Sequence, residues 1–295
     1  MSMKKLFLII FSSLILTSCN SEEKFDIKGF IDEESVQIIE DIKSLASDTF
    51  ATKNFLDFKY KLEPIKKSDV KEEIIKNVEE EAKKDKKAKW IYNNFYNLSD
   101  VDAYLTGNDP DTIEFIYNKN HNLTEFDFYD GESVKLKRQT PYFLQWDNRW
   151  AYNKLYPTNI GISGCGPTSM SMVISRLTGQ MKYPNEIAKD AERFMNDSGM
   201  DWIFISHEAE KYNINVEEIN LDEKAVIEAL NKGPVMISVS KGYFTLYGHI
   251  LVIDSYKNGK FLINDPNSVK NSIIEWDFND FSDQIMKIWG FSKKS

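Results

Sequence analysis

The chain has 295 residues, 42% hydrophobic and 13% aromatic, which is enough apolar content for one large or two modest domains with a real core. Its formal net charge of -9 argues against nucleic acid as a partner and gives no general attraction to anionic lipid. Two cysteines and three histidines supply neither a disulfide framework nor a zinc site of N and S ligands, so no cofactor or metal is expected.

The chain opens with two lysines, an apolar run from Leu6 to Leu16, and the small residues Thr17 and Ser18 before Cys19. This is the pattern of a secretory signal over residues 1–19, too short for a comfortable membrane span, and its ending resembles a bacterial lipobox. On that reading Cys19 is diacylated and becomes the mature N-terminus, tethering the protein to the extracytoplasmic face of a bacterial cell membrane. An ordinary secretory signal or an uncleaved anchor is the plainer alternative.

Residues 20–137 are expected to form a helical, charged spacer. Within it, Ser68 to Trp90 reads as one long helix opened by a Ser68 or Asp69 cap, its Glu and Lys side chains spaced i,i+4 on a solvated face. Ser99 begins a second helix, and Asp109 followed by Pro110 begins a third. His121 falls in a loop. Near residue 138 the sequence turns aromatic and turn-rich, and a second domain is expected over 138–295.

In that domain the stretch GISGCGPTSMSM holds Cys165, which has no disulfide partner if Cys19 carries lipid. Met170, Val173, Ile174 and Leu177 recur at helical spacing and Gly179 suits a C-terminal cap, so Cys165 lies at a helix N-terminus. The free N–H groups and the dipole there favour thiolate over thiol, and the backbone N–H of Cys165 can serve an oxyanion. Gly164 and Gly166 leave room for a substrate carbonyl. The plain alternative is a small buried cysteine that fills core space.

Helices follow over 183–194, with Ile187, Ala188, Ala191 and Phe194 on one face, and from the Asp222 cap to Gly233. Asn196 to Trp202 is a loop between helices, His207 is mid-helix, and Pro234 to Ser240 is a buried strand. His249 then opens a strand, Asn258 and Gly259 turn the chain, and a second strand ends at Asp265. A thiolate needs an imidazole to hold its proton and a third group to orient that imidazole. Whether Asp265 is that group depends on register. A two-residue Asn258–Gly259 loop sets Asp265 opposite Val252, facing away from His249. A three-residue loop from Lys257 sets it opposite Leu251, on the side of His249. Asn267, beyond the turn, has no assigned chemical role.

The motifs FLQWDNRW, GISGCGPTSMSM, GPVMISV, YGHILVID and FLINDPN, in this order over roughly residues 141–291, resemble the C39-like cysteine peptidases of the papain-like superfamily, in particular their bacterial secreted and lipoprotein branch. The resemblance implies an α+β papain-like fold, with a nucleophile helix packed on an antiparallel sheet. It implies Cys165 as nucleophile, His249 as base, Asp265 as its orienter and Gln145 as an oxyanion donor, 20 residues ahead of Cys165. Trp202 would line the cleft or pack in the core. The family members that trim leader peptides sit on transporters, and this sequence carries no ATP-binding motif. The expected activity is a membrane-tethered thiol hydrolase acting on a peptide or cell-wall amide. A catalytically inactive binding lipoprotein and a thiol acyltransferase of the same fold are the alternatives.

Overall fold

The computed structural model describes residues 63–294; the signal-like segment and Cys19 lie outside them. Four helices come first: α1 (Lys71–Ala82), α2 (Lys86–Asn94), α3 (Asp100–Asn108) and α4 (Ile113–Asn120). The one long helix expected over 68–90 is therefore two. Asp85 divides it, because its carboxylate accepts the N–H groups of Lys87 and Ala88 and so starts a new helix within a lysine-rich run. α2 then folds back on α1, and Ile74, Val78, Ala88 and Ile91 are buried.

Neither Ser68 nor Asp69 caps α1, whose N-cap is Val70; Ser68 instead bonds Glu73 and Asp69 pairs with Lys241. Ser99 does cap α3, accepting the Asp102 N–H at 3.2 Å. Asp109 does not cap its helix: Pro110 opens a short 3-10 turn and the Asp109 carboxylate turns inward to Lys67. The apolar side of this region is not left in solvent as a spacer's would be, since Phe115 and Ile116 are fully buried.

The rest of the chain builds a six-stranded, wholly antiparallel sheet: β1 (Ile214–Glu218), β2 (Val235–Val239), β3 (His249–Lys257), β4 (Lys260–Asn264), β5 (Glu275–Trp276) and β6 (Ile285–Lys293). Their order in space is β1-β6-β2-β3-β4-β5. Its longer helices are α5 (Cys165–Thr178), α6 (Pro184–Ala191), α7 (Ile203–Lys211), α8 (Glu223–Leu230) and α9 (Val269–Ile273). α8 packs on β2, β3 and β6, where Val226, Ala229 and Leu230 join Val235, Ile237, Leu251 and Ile253 in one core. The alternate residues Met236, Ile250 and Val252 are as deeply buried, on the side where α5 crosses β3 and β6. β2 is thus buried at every position because helices cover both faces. This is an α+β architecture with the cysteine helix packed on an antiparallel sheet.

Local rules hold well in these helices. Gly179 ends α5 with φ +72°, and Asp222 starts α8 by accepting the Ala225 N–H at 2.9 Å. The helix expected over 183–194 ends at Ala191, with Phe194 in a 3-10 turn against Phe204. The segment 196–202 contains the return strand of a small hairpin, Met195–Asn196 with Gly199–Met200.

The β3–β4 hairpin uses the two-residue turn: Asn258 (φ +54°) and Gly259 (φ +83°) are both left-handed, and Lys257 faces Lys260. Continued unchanged, that register would aim Asp265 away from His249. It does not continue. Ser255 pairs with Leu262 but the next pair is Ile253 with Ile263, so Asp254 is an extra residue, a β-bulge. Beyond it Val252 faces Asn264, and one residue further Asp265 falls level with Leu251, on the side of His249.

Candidate active site

Cys165 is the first residue of α5, after the N-cap Gly164. The helix starts there because the turn Ile160–Ser163, capped by Asn159, hands the chain on through Gly164. The thiol is half-buried and unpaired by any disulfide. It hydrogen-bonds to His249, and the backbone N–H groups of Gly166 and Ile250 also point to it. The Ile250 amide is a partner that sequence reasoning missed; only the packing of β3 against α5 brings it there. The room expected beside Gly166 is taken by Met200, whose sulfur would lie 2.6 Å from a Cβ at that position.

His249 is the first residue of β3 and is 6% exposed. Its Nε2 donates to Asp265 Oδ1 at 2.7 Å, which leaves Nδ1 as the ring nitrogen for the thiol. Asp265 is completely buried and its carboxylate is saturated with donors. Oδ1 also accepts the Asn267 N–H at 2.8 Å, and Oδ2 accepts Asn271 Nδ2 at 2.9 Å. The Asp265 backbone is pinned as well, its N–H donating to Ser272 Oγ and its carbonyl accepting from the Tyr142 hydroxyl. Asn271 was not found from sequence. The available signal was Ser268, a helix cap whose hydroxyl accepts the Asn271 N–H and so sets α9 beside the DPN turn.

These contacts fix the charges. Burial works against a charged imidazole, but the Asp265 carboxylate and the thiol outweigh it and push His249 up to about 10. Burial likewise raises the Cys165 thiol, and the hydrogen bond and charge of His249 override it, so the net shift is downward. Asp265 is also lowered: burial opposes its charge, and the His249 charge and hydrogen bond and the Asn271 amide prevail. Together the shifts favour thiolate over thiol and imidazolium over imidazole, in a row with the Asp265 carboxylate. Such a row supplies a nucleophile and a proton for a leaving group.

Gln145 lies beside this row and is 3% exposed. Its backbone N–H donates to the Pro266 carbonyl at 2.8 Å, and its Nε2 donates to the carbonyls of Gly161 (3.0 Å) and Ile162 (3.3 Å). Both amide hydrogens thus brace the segment ahead of Cys165, and an oxyanion would compete with those carbonyls for them. Trp202 is 38% exposed with its ring edge-on to Trp289. His207 sits in α7 against Arg193 and Phe194, and His121 ends α4, stacked on Tyr117. Asp254 takes no part in the row. Its carboxylate accepts the Thr140 N–H, and its carbonyl accepts from Arg176 of α5.

No curated protein matches the chain. Among solved structures, the peptidase domain of Streptococcus ComA, a bi-functional ABC transporter involved in a quorum sensing pathway, is similar at 16% identity and a TM-score of 0.37, over 44% of this chain and 92% of that one. A Bacillus anthracis chain described as a C39-like peptidase is similar at 16% identity and a TM-score of 0.38, over 53% of this chain and 96% of that one. The model of the Peptidase_C39 like family matches residues 137–293, more than half of the chain, spanning Cys165, His249 and Asp265, and the chain belongs to that family.

Proposed function

We propose that the protein is a cysteine peptidase or amide hydrolase working through Cys165, His249 and Asp265. The observation that carries this reading is the position of His249, bonded at once to the Cys165 thiol and, at 2.7 Å, to the Asp265 carboxylate. The Cys165 thiolate attacks the substrate carbonyl carbon, forming a C–S bond. The oxyanion is steadied by the Cys165 backbone N–H, with Gln145 as a second donor once it re-aims its amide. The His249 imidazolium gives its proton to the leaving amine as the C–N bond breaks. Neutral His249 then takes a proton from water, which attacks the thioester, and the C–S bond breaks to return the thiolate. Asp265 keeps the ring oriented throughout.

We place this chemistry on a peptide or cell-wall amide at the extracytoplasmic face of a bacterial membrane, with the chain tethered through lipid on Cys19. The test is a screen of peptides and cell-wall fragments with wild type and Cys165→Ala, beside iodoacetamide labelling at neutral pH. Hydrolysis and labelling, both lost in Cys165→Ala, support the reading. A thiol inert in the folded protein refutes it in favour of a binding role, and product conjugated to an added amine identifies acyl transfer. Cys19→Ala tests the tether, since it should abolish membrane partitioning.

A further inference from the structure

Three segments carry the reactive row, and residues 63–120 touch each of them. Ahead of Cys165, the Phe115 ring of α4 fills the space over Gly161, where a Cβ would run into it. In the loop leading to His249, the Gly242 carbonyl accepts the Lys67 N–H at 2.9 Å, and Tyr104 of α3 bonds the Leu246 backbone with its ring edge-on to Tyr247. After Asp265, Asn267 Nδ2 donates to Asp109 Oδ2 at 3.2 Å, while Asp109 Oδ1 pairs with the Lys67 ammonium.

Lys67, Asp109 and Asn267 are each less than one-tenth exposed. The hydrogen bonds therefore run without a break from Lys67 to Asp109, Asn267, Asp265 and His249. The charged or titratable groups facing Asp265 are His249, Lys67, Asp109, Tyr104 and Tyr142.

A buried ion pair is a poor device for stability alone, because apolar residues of similar volume often serve as well or better. What a carboxylate supplies and a leucine does not is an acceptor with a direction. At Asp109 that direction is toward the Asn267 amide, whose own backbone N–H shares Oδ1 of Asp265 with His249. We propose that residues 63–120 are an intramolecular brace of the active site, in which Lys67 and Asp109 are positioning residues that act through Asn267 to hold Asp265 and His249 against Cys165. This rests on Cys165 being the nucleophile. It assigns a catalytic use to a part of the chain that lies outside the family match at 137–293.

The test follows iodoacetamide alkylation of Cys165, read by the mass of its peptide, against pH in the full chain, with thermal unfolding measured on the same samples. Asn267→Ala cuts the tether and leaves the Lys67–Asp109 pair intact. Lys67→Met combined with Asp109→Leu removes both charges and fills their volume. Both variants should remain folded and yet alkylate about tenfold or more slowly at pH 7, with the midpoint moved upward, since a small misplacement of reacting groups costs up to about 100-fold. With an identified substrate, kcat should fall while KM holds. A folded variant with the wild-type rate and midpoint overturns the brace. Asn267→Ala decides alone if the double variant does not fold. A wild-type thiol that is itself inert sinks the nucleophile reading and the brace together, whereas a reactive wild type with unaffected variants sinks only the brace.

Discussion

At Cys165 the chain follows local rules, whereas the β3–β4 hairpin follows them only as far as Asp254. The spacing of Met170, Val173, Ile174 and Leu177, with Gly164 before and Gly179 after, is sufficient to start a helix at the cysteine and stop it fourteen residues later. In the hairpin the Asn258–Gly259 turn sets a register just as locally, and that register, continued, would turn Asp265 away from His249. The bulge at Asp254 corrects it, and the bulge is held by groups distant in sequence, Thr140 and Arg176. A helix end places its first residue by itself; a strand pair places a side chain only when every residue between it and the turn is counted.

The comparison is broken most completely at the imidazole. His249→Ala should lower hydrolysis about a thousandfold or more, the scale of losing a member of such a catalytic row. The thiol supplies the sign of the pH effect. In the wild type its alkylation midpoint should lie below the ordinary 9.0, and the rate should then stay level until His249 loses its proton at about 10. Without the imidazolium only burial is left to act against the helix-end amides, so the midpoint should move up; an unmoved midpoint would show that the helix end alone activates Cys165.

A step down in size, Asp265→Asn should cut kcat about 100-fold or more with little change in fold, because an amide no longer holds the imidazolium charged. Asn271→Ala, which removes one of three donors to that carboxylate, should cost less, about tenfold, and kinetics of the pair side by side would rank them.

Asp254→Ala tests the bulge itself. It strands the Thr140 N–H and removes the carboxylate 3.7 Å from Arg176, which keeps its bond to the Asp254 carbonyl, so denaturant unfolding should show a loss of about 2 kcal/mol. Cys165 alkylation in the remaining folded protein should slow as well, because the register that brings Asp265 to His249 loses the Thr140 half of its anchor. A normal alkylation rate in that variant would mean the bulge persists without its carboxylate.

The smallest effect is expected at the turn. Gly259→Val forces a branched residue into φ +83°, at about 1–2 kcal/mol, and meets no neighbour within 4 Å. With the bulge between turn and site, alkylation per folded molecule should be unchanged. A large loss there would mean that the turn, and not Asp254, governs the register.

Much of this molecule was legible because it rests on short-range chemistry. The Ser99 and Asp222 caps, the Gly179 stop, the buried β2 strand and the helix behind Cys165 each follow from residues within a turn or two of one another. The resemblance of five ordered motifs then implied the fold that the sheet and α5 display. Local reading failed where a short polar side chain had two uses. Asp85 serves as a helix cap inside what reads as a continuous helix. Asp109, in a good capping position, turns instead to Lys67, 42 residues away. Asn267 and Asn271 look like ordinary loop and helix-start residues until the fold brings Asp109 and Asp265 to their amides.

The amino-acid sequence by itself thus determined which residues are candidates for reactive chemistry and where the helix behind Cys165 begins, since residue type is given directly and helix starts depend on neighbours within a turn. Only the tertiary structure decided which carboxylate meets the imidazole, through a bulge anchored from α5 and from Thr140, and that the helical region ahead of the family segment touches all three parts of the site. The physical reason is that a buried polar group must find its partner wherever the packed chain provides one. The partner's place is fixed by burial and register across the whole fold, over distances in sequence that no local pattern records.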